Sequence, residues 1–336
     1  MREKPNISED HLRACLRDAY GLTVATLEFL PLGLDTRAGV YRVASEQGAT
    51  YLLKAKSGLL YEPSCHVPRH LRDHGIAAAV APLPTQSNAL WATAGEWTVI
   101  LYPFIDGVSG WNPDLTDGQW QALGAVLSQI HQIGLPPEGF AALREEKFDP
   151  SKYRQQIHEL ETVHLVADTD DAVTQALRAA WLANQAMIHQ AMDTLETLAE
   201  TLRSRSGPLV ICHADVHQNN IIRGQDNQVY LIDWDDVMLA YKERDFLFVE
   251  DSQIDATTGQ ETSPFFQGYR PREIDWIALA YYRWERIVQD FIEDARIVVL
   301  QPDLEDATRA EALQRFRNAL EADGRIAAAR AKMKEA

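Results

Sequence analysis

Two rhythms of apolar positions run along the chain, and one replaces the other near residue 103. Leu12, Cys15, Leu16 and Ala19 recur at helical spacing behind Ser8, a cap-type residue followed by Glu9 and Asp10, and Gly21 closes that segment. Strand-type runs follow at 25–30, 39–44, 50–54 and 97–102, with Ser45–Ala49 as a hairpin loop between the second and third. A helical stretch at 64–74, ended by Gly75, interrupts them. Pro103 then breaks the last strand and Asp106-Gly107 turns the chain. Past that turn the helical rhythm prevails. Thr116 and Gln119 make a capping box ahead of Trp120, Leu123, Leu127 and Ile130, and His131 ends that helix as a structural histidine. Residues 172–202 are rich in Ala and Leu, and Ala280, Trp284, Ile287 and Phe291 line one face of 275–296, a stripe that reads as core. The tail 311–336 reads as a final or frayed helix. The plan is α+β: a small antiparallel-sheet lobe at 1–102, a hinge at 103–107 and a larger, mainly helical lobe at 108–336.

One segment inside the helical part departs from its rhythm. Residues 211–236 read as a loop holding His213, Asp215, His217 and Asn220, then a β-hairpin around Gly224-Gln225-Asp226-Asn227, then Asp233. With Arg223 facing Gln228, Asn220 faces Leu231 and Asp233 lies just beyond. An amide oxygen and a carboxylate so placed suit Mg²⁺, and Asp215 on the connected loop can address a nucleophile beside it. That is a phosphoryl-transfer layout. A competing reading takes His213, Asp215 and His217 as three ligands on one face of an extended strand, binding zinc or iron in a hydrolase. A third takes the loop as polar structure around a satisfied histidine.

Composition narrows the setting. The chain has 336 residues, more than one comfortable core, with 46% hydrophobic and 24% charged residues. Its 49 acidic against 32 basic residues give a formal charge of −17, which argues against nucleic acid and for a cationic small molecule. Between Asp233 and Asp255 stand eight acids and only Lys242 and Arg244 as bases. Cys15, Cys65 and Cys212 are sparse, unpaired in spacing and read as buried hydrophobes in a reducing compartment. With neither a signal-type N-terminus nor a run of roughly 20 apolar residues, the expectation is a cytoplasmic protein, monomer or homodimer, away from membranes.

The motif His213-Ala-Asp215-Val-His217-Gln-Asn219-Asn220, followed by Ile232-Asp233-Trp234-Asp235, resembles the catalytic and metal loops of the aminoglycoside phosphotransferase family, bilobal enzymes with a protein-kinase-like fold. It departs from the commonest family form at Ala214 and at Gln218-Asn219, where Gly and Pro-Gly are frequent. The segments Met238–Asp245 and Tyr281–Val288 are similar to the spectinomycin 9-phosphotransferase branch. The resemblance implies ATP- (or GTP-) and Mg²⁺-dependent O-phosphorylation of an aminocyclitol-type antibiotic or similar polyhydroxylated amine, and hence antibiotic resistance. A metabolite kinase of choline, homoserine or sugar type on the same fold is the alternative. Asp215 would accept the hydroxyl proton with His213 and His217 as loop supports, and Asn220 and Asp233 would hold the metal. Lys54, at the end of its strand, would hold phosphates, with Glu62 as its helix partner and Lys56 as the rival lysine. Gly33 would lie in the nucleotide-covering turn. Tyr102, the Pro103 carbonyl and the Ile105 N–H would meet the adenine at the hinge. Asp235, Asp236, Glu250, Asp251 and Glu285 are the candidate amine partners, and Trp111 a candidate stacking residue.

Overall fold

The computed structural model describes residues 4–32, 38–109, 114–135, 140–205, 207–224, 228–249, 263–270, 273–302, 304–321 and 326. The chain forms two compact units, Met1–Glu145 with Leu209–Arg272, and Glu146–Pro208 with Glu273–Ala336. These units do not part at 103–107, because segments beyond the hinge pair with the first unit. Val108 bridges to Arg223 and Ala79 to Leu231, while Leu239 pairs with Glu145.

In the first unit, helix α1 (Glu9–Tyr20) starts after Ser8 and stops at Gly21, whose φ of 69° is left-handed and ends the helix without a Cβ penalty. Five strands follow: β1 (Val24–Leu30), β2 (Ala38–Ser45), β3 (Thr50–Ser57), β4 (Ala92–Ala94) and β5 (Trp97–Pro103). They form an antiparallel sheet in the order β1-β2-β3-β5-β4. Strand alternation divides the side chains between two faces. Tyr41, Val43, Leu53, Ala55, Val99 and Leu101 pack with Leu12, Cys15 and Leu16 of α1. The opposite face carries Lys54, Lys56, Ile100 and Tyr102. There Ile100 and Tyr102 pack with Cys65 of helix α2 (Pro63–Asp73).

Beyond the hinge, α3 (Asp117–Gln132) starts with the capping box of Thr116 and Gln119. It lies against the short helix α6 (Pro264–Gly268) at glycine-only separation: a Cβ on Gly124 would meet the Phe265 carbonyl oxygen at 2.1 Å. Strands β6 (Arg144–Glu145), β7 (Val210–Cys212) and β10 (Met238–Ala240) make a three-stranded sheet in the order β6-β10-β7. Between β7 and β10 in sequence lies the hairpin of β8 (Ile221–Arg223) and β9 (Val229–Leu231).

The second unit is helical: α4 (Ser151–Glu159), a π-helical turn at Leu160–His164, α5 (Ala172–Arg203), α7 (Trp276–Leu300) and α8 (Asp306–Leu320). Trp181 is its centre, stacked on Phe316 at 5.6 Å and edge-on to Phe291 at 6.3 Å. Trp284, Ile287 and Phe291 are buried, so the aromatic stripe of α7 is core. All three cysteines are buried and free. Among the described residues, no helix is long and apolar enough to cross a membrane.

Candidate active site

Strand β7 delivers the chain into a loop that is held by one buried carboxylate. Asp245 accepts the His213 N–H on Oδ2 at 3.0 Å and the Ala214 N–H on Oδ1 at 2.7 Å. Its side chain has no exposed surface, and His131 Nε2 lies 3.0 Å from Oδ2. His131 Nδ1 in turn meets the Tyr269 hydroxyl at 2.9 Å. Ala214 stands at φ 70°, a left-handed conformation that costs an L-residue about 1–2 kcal/mol. Glycine adopts that conformation without a Cβ penalty, and here Asp245 holds the amide of Ala214 itself. Cys212, His131 and Asp245 bring metal-type ligands together in the core. Both ring nitrogens of His131 and both Asp245 oxygens are committed to the network, so the cluster is a brace and not a cation site.

His213 is fully buried. Its Nδ1 accepts the Asp215 N–H at 3.3 Å, which assigns the proton to Nε2, and Nε2 donates to the Ile232 carbonyl at 2.9 Å. With both nitrogens used, His213 has no lone pair for zinc or iron. The three-ligand reading of His213, Asp215 and His217 therefore fails. His217 instead leans on Asp215, its Nε2 3.3 Å from Oδ2, and packs edge-on against Phe248 at 5.6 Å.

The hairpin register differs by one from the expected one. Gly224 N–H donates to the Gln228 carbonyl, so Arg223 faces Val229, Ile221 faces Leu231, and the Ile232 N–H reaches the Asn220 carbonyl at 3.0 Å. The shift brings Asn220 beside Ile232, one residue from Asp233. Asn220 Nδ2 donates to the Asp215 carbonyl at 3.0 Å and to its Oδ2 at 3.1 Å, which turns the amide oxygen the other way. Asp233 takes φ 61°, a second left-handed non-glycine residue in the same site. The amide oxygen of Asn220 and the carboxylate of Asp233 are hard oxygen donors, the chemistry that Mg²⁺ requires. Leu231 N–H donates to Ala78 O on one side, and Val108 and Arg223 exchange backbone bonds on the other. On that second side Gly107 allows a close approach: a Cβ there would stand 2.7 Å from the Arg223 carbonyl oxygen. The segment after the hinge is thereby fastened to the loop-bearing hairpin.

Lys54 reaches this hairpin from β3, its Nζ 2.7 Å from Asp233 Oδ1 and 2.8 Å from Asp235 Oδ2. Burial works against the charge of Lys54, but the two carboxylates outweigh it and raise its pKa above the ordinary value. Burial likewise pushes Asp235 up, and the ammonium groups of Lys54 and Lys56 overcome this and hold it well below the usual carboxylate range.

The Asp215 carboxylate, the Asn220 and Asp233 pair and the half-buried Lys54 thus meet at one loop and hairpin. The profile of the family described as "Phosphotransferase enzyme family" (APH) matches residues 26–276. The chain belongs to this family. Its members are small-molecule kinases that act on hydroxyl groups. The mixed α/β structure, with an antiparallel sheet in its N-terminal lobe and a helical C-terminal part, has the family's kinase-like fold. Similar solved structures include spectinomycin phosphotransferase APH(9)-Ia in complex with ADP and spectinomycin, 30% identical, with a TM-score of 0.84 over 98% of this chain and 100% of that one. The AMP-bound complex of the same enzyme gives 0.79 at 30% identity, covering 97% and 99%. An aminoglycoside phosphotransferase from Alicyclobacillus acidocaldarius shares the fold at 17% identity and a TM-score of 0.60, covering 99% and 98%.

Several expected phosphotransferase residues fall elsewhere. Glu62 is exposed at the start of α2, and the Lys54 bonds go to Asp233 and Asp235, which corrects the helix-partner expectation. Asp235 is engaged by lysines rather than presented to an amine. Asp236 is exposed and pairs with Arg144 at 3.5 Å. Glu285, in the second unit, is buried and accepts from the Tyr153 hydroxyl at 3.2 Å. Gly33, Trp111, Glu250 and Asp251 lie outside the described residues. Tyr102 packs in the apolar cluster of Cys65, Leu90 and Ile100, and burial raises its phenol pKa well above the ordinary value. The residue that sequence reasoning missed is Asp245, which stood in a resembling stretch with no role attached.

Proposed function

We propose that this phosphotransferase moves the γ-phosphoryl group of ATP to a hydroxyl of a spectinomycin-like aminocyclitol. The observation that carries the reading is the convergence of Asp215, Asn220 and Asp233: Asn220 bonds Asp215 through its side chain and Ile232, beside Asp233, through its backbone. Asp215 orients the acceptor hydroxyl and takes its proton as the new oxygen–phosphorus bond forms and ADP leaves. Asn220 and Asp233 would hold Mg²⁺, which, when bound, offsets the charge of the nucleotide phosphates. Lys54 addresses those phosphates. His213 fixes the loop through its two bonds, and His217 supports the Asp215 carboxylate.

At the hinge, the Pro103 carbonyl accepts from the adenine amino group and the Ile105 N–H donates to the adjacent ring nitrogen. Guanine presents the opposite polarity at both positions, so this pattern favours ATP over GTP. In this reading the N-lobe (1–102), hinge (103–107) and C-lobe (108–336) are functional divisions. The acceptor class is supported by the 30% likeness, over nearly the whole chain, to an enzyme whose complex holds spectinomycin. The acidic balance of the chain supports it as well.

The test is transfer of labelled phosphate from ATP to a panel of aminocyclitols, choline, homoserine and sugars, with mass spectrometry of the product. Spectinomycin or a close aminocyclitol should be phosphorylated. Transfer to choline or homoserine and to no aminocyclitol would overturn the acceptor assignment. Asp215→Asn should nearly abolish kcat while ATP affinity stays within a few-fold, and a variant that keeps most of its kcat refutes the role of Asp215.

A further inference from the structure

Lys54 and Lys56 leave β3 two residues apart and therefore on one face of the sheet. Their side chains are only 13% and 15% exposed. Lysines so covered need a partner, and here both ammonium groups lie 2.8 Å from the same oxygen, Oδ2 of Asp235. The backbone beneath Asp235 is clamped. Arg144 Nη2 donates to the Asp235 carbonyl at 2.6 Å, and the guanidinium lies over the Tyr61 ring at 4.3 Å. The Tyr61 hydroxyl, in turn, donates to the Val237 carbonyl at 2.8 Å. Asp235 is thus a fixed post between two ammonium groups.

The charges here are two ammonium groups and two carboxylates. Once Asp233 serves a cation, Lys54 and Lys56 share the single carboxylate of Asp235, and the pair keeps a net positive charge that both ammonium groups can present to an anion. We infer that Lys56 is a second ammonium directed at the nucleotide phosphates. Asp235 is the positioning residue that holds the Lys54–Lys56 pair, the task expected of an acid on α2. The inference rests on the nucleotide half of the proposed function and not on its acceptor.

Calorimetric titration of the full chain with ATP, ADP and adenosine tests it, together with the rate of ATP turnover. Lys56→Met should weaken ATP and ADP by about tenfold and leave adenosine within twofold, and Lys56→Arg should recover most of the loss. Asp235→Asn should behave oppositely. Removing a negative charge beside the phosphates leaves ATP affinity unchanged or tighter, while turnover falls about tenfold because the ammonium groups lose their register. Adenosine binding serves as the folding control for both variants. The inference is overturned if Lys56→Met binds ATP like the wild type or loses adenosine to the same extent. It is also overturned if Asp235→Asn keeps its turnover within twofold. A wild-type chain that binds ATP but phosphorylates no aminocyclitol leaves this inference standing and sinks the acceptor assignment alone. A chain that binds no nucleotide sinks both.

Discussion

Asp245 is the side chain whose loss the loop should feel most. Oδ1 serves the Ala214 N–H, and Oδ2 serves the His213 N–H and His131 Nε2, all without exposed surface. An asparagine has one acceptor oxygen and one NH₂ group. The better flip keeps the oxygen at the Oδ2 position, where two groups need it, so that only the Ala214 N–H faces a donor and one buried bond is lost at a cost of about 1–3 kcal/mol. An alanine removes every acceptor and strands two amides and an imidazole, so the cost rises to about 3–5 kcal/mol. At about 2–4 °C per kcal/mol for a unit of this size, Tm should fall by roughly 2–12 °C for Asp245→Asn and roughly 6–20 °C for Asp245→Ala. Ala214 would relax from its left-handed conformation, and a 1 Å displacement of Asp215 should lower kcat by about 100-fold. Circular dichroism melts and steady-state kinetics on the two variants check both halves. Equal losses for Asn and Ala, or full kcat in either, would refute the account of Asp245 as the carboxylate that holds the loop.

Two further outcomes follow from particular contacts. Gly107→Ala puts a Cβ 2.6 Å from Ile222 Cγ2 and 2.7 Å from the Arg223 carbonyl oxygen. It should cost about 1–3 kcal/mol and raise KM for ATP by shifting the hinge, and an unchanged melt with unchanged KM would count against that close approach. In the second unit, bonds from Arg309 and Thr174 hold the Asp171 carboxyl well below the usual carboxylate range. A depressed folded pKa contributes stability above the unfolded value near 4, and that contribution is lost as pH falls toward the folded value. Between about pH 4 and pH 2 the wild type should therefore lose more stability than Asp171→Asn, read as urea midpoints against pH. Parallel curves would exclude this contribution.

Local signals carried the long elements well. The stripe of Leu12, Cys15 and Leu16 with Gly21 behind it, and the capping box at Thr116, are patterns whose physics lies within a few residues, and α1 and α3 occupy those places. Strands β4, β6 and β10 were not legible, because segments of two or three residues become strands only through their partners. The hairpin was legible but its register was not. Whether Gly224 pairs with Gln228 or the loop widens by one residue is decided by closure of the turn and by the neighbours that fasten Leu231 and Arg223.

The sequence by itself determined the spacing that carries Asp215, Asn220 and Asp233 on one loop and hairpin, and the alternation that puts Lys54 and Lys56 on one face. Both depend on bonds between near neighbours. Only the tertiary structure decided which acids answer those lysines. The 179-residue separation of Lys54 from Asp233 is closed by packing of a sheet against a hairpin, and no local periodicity encodes it. Packing likewise left Glu62 exposed and drew Asp235 under two ammonium groups. It also buried Asp245 beneath the loop, where low dielectric makes each of its hydrogen bonds strong and the loss of any of them costly.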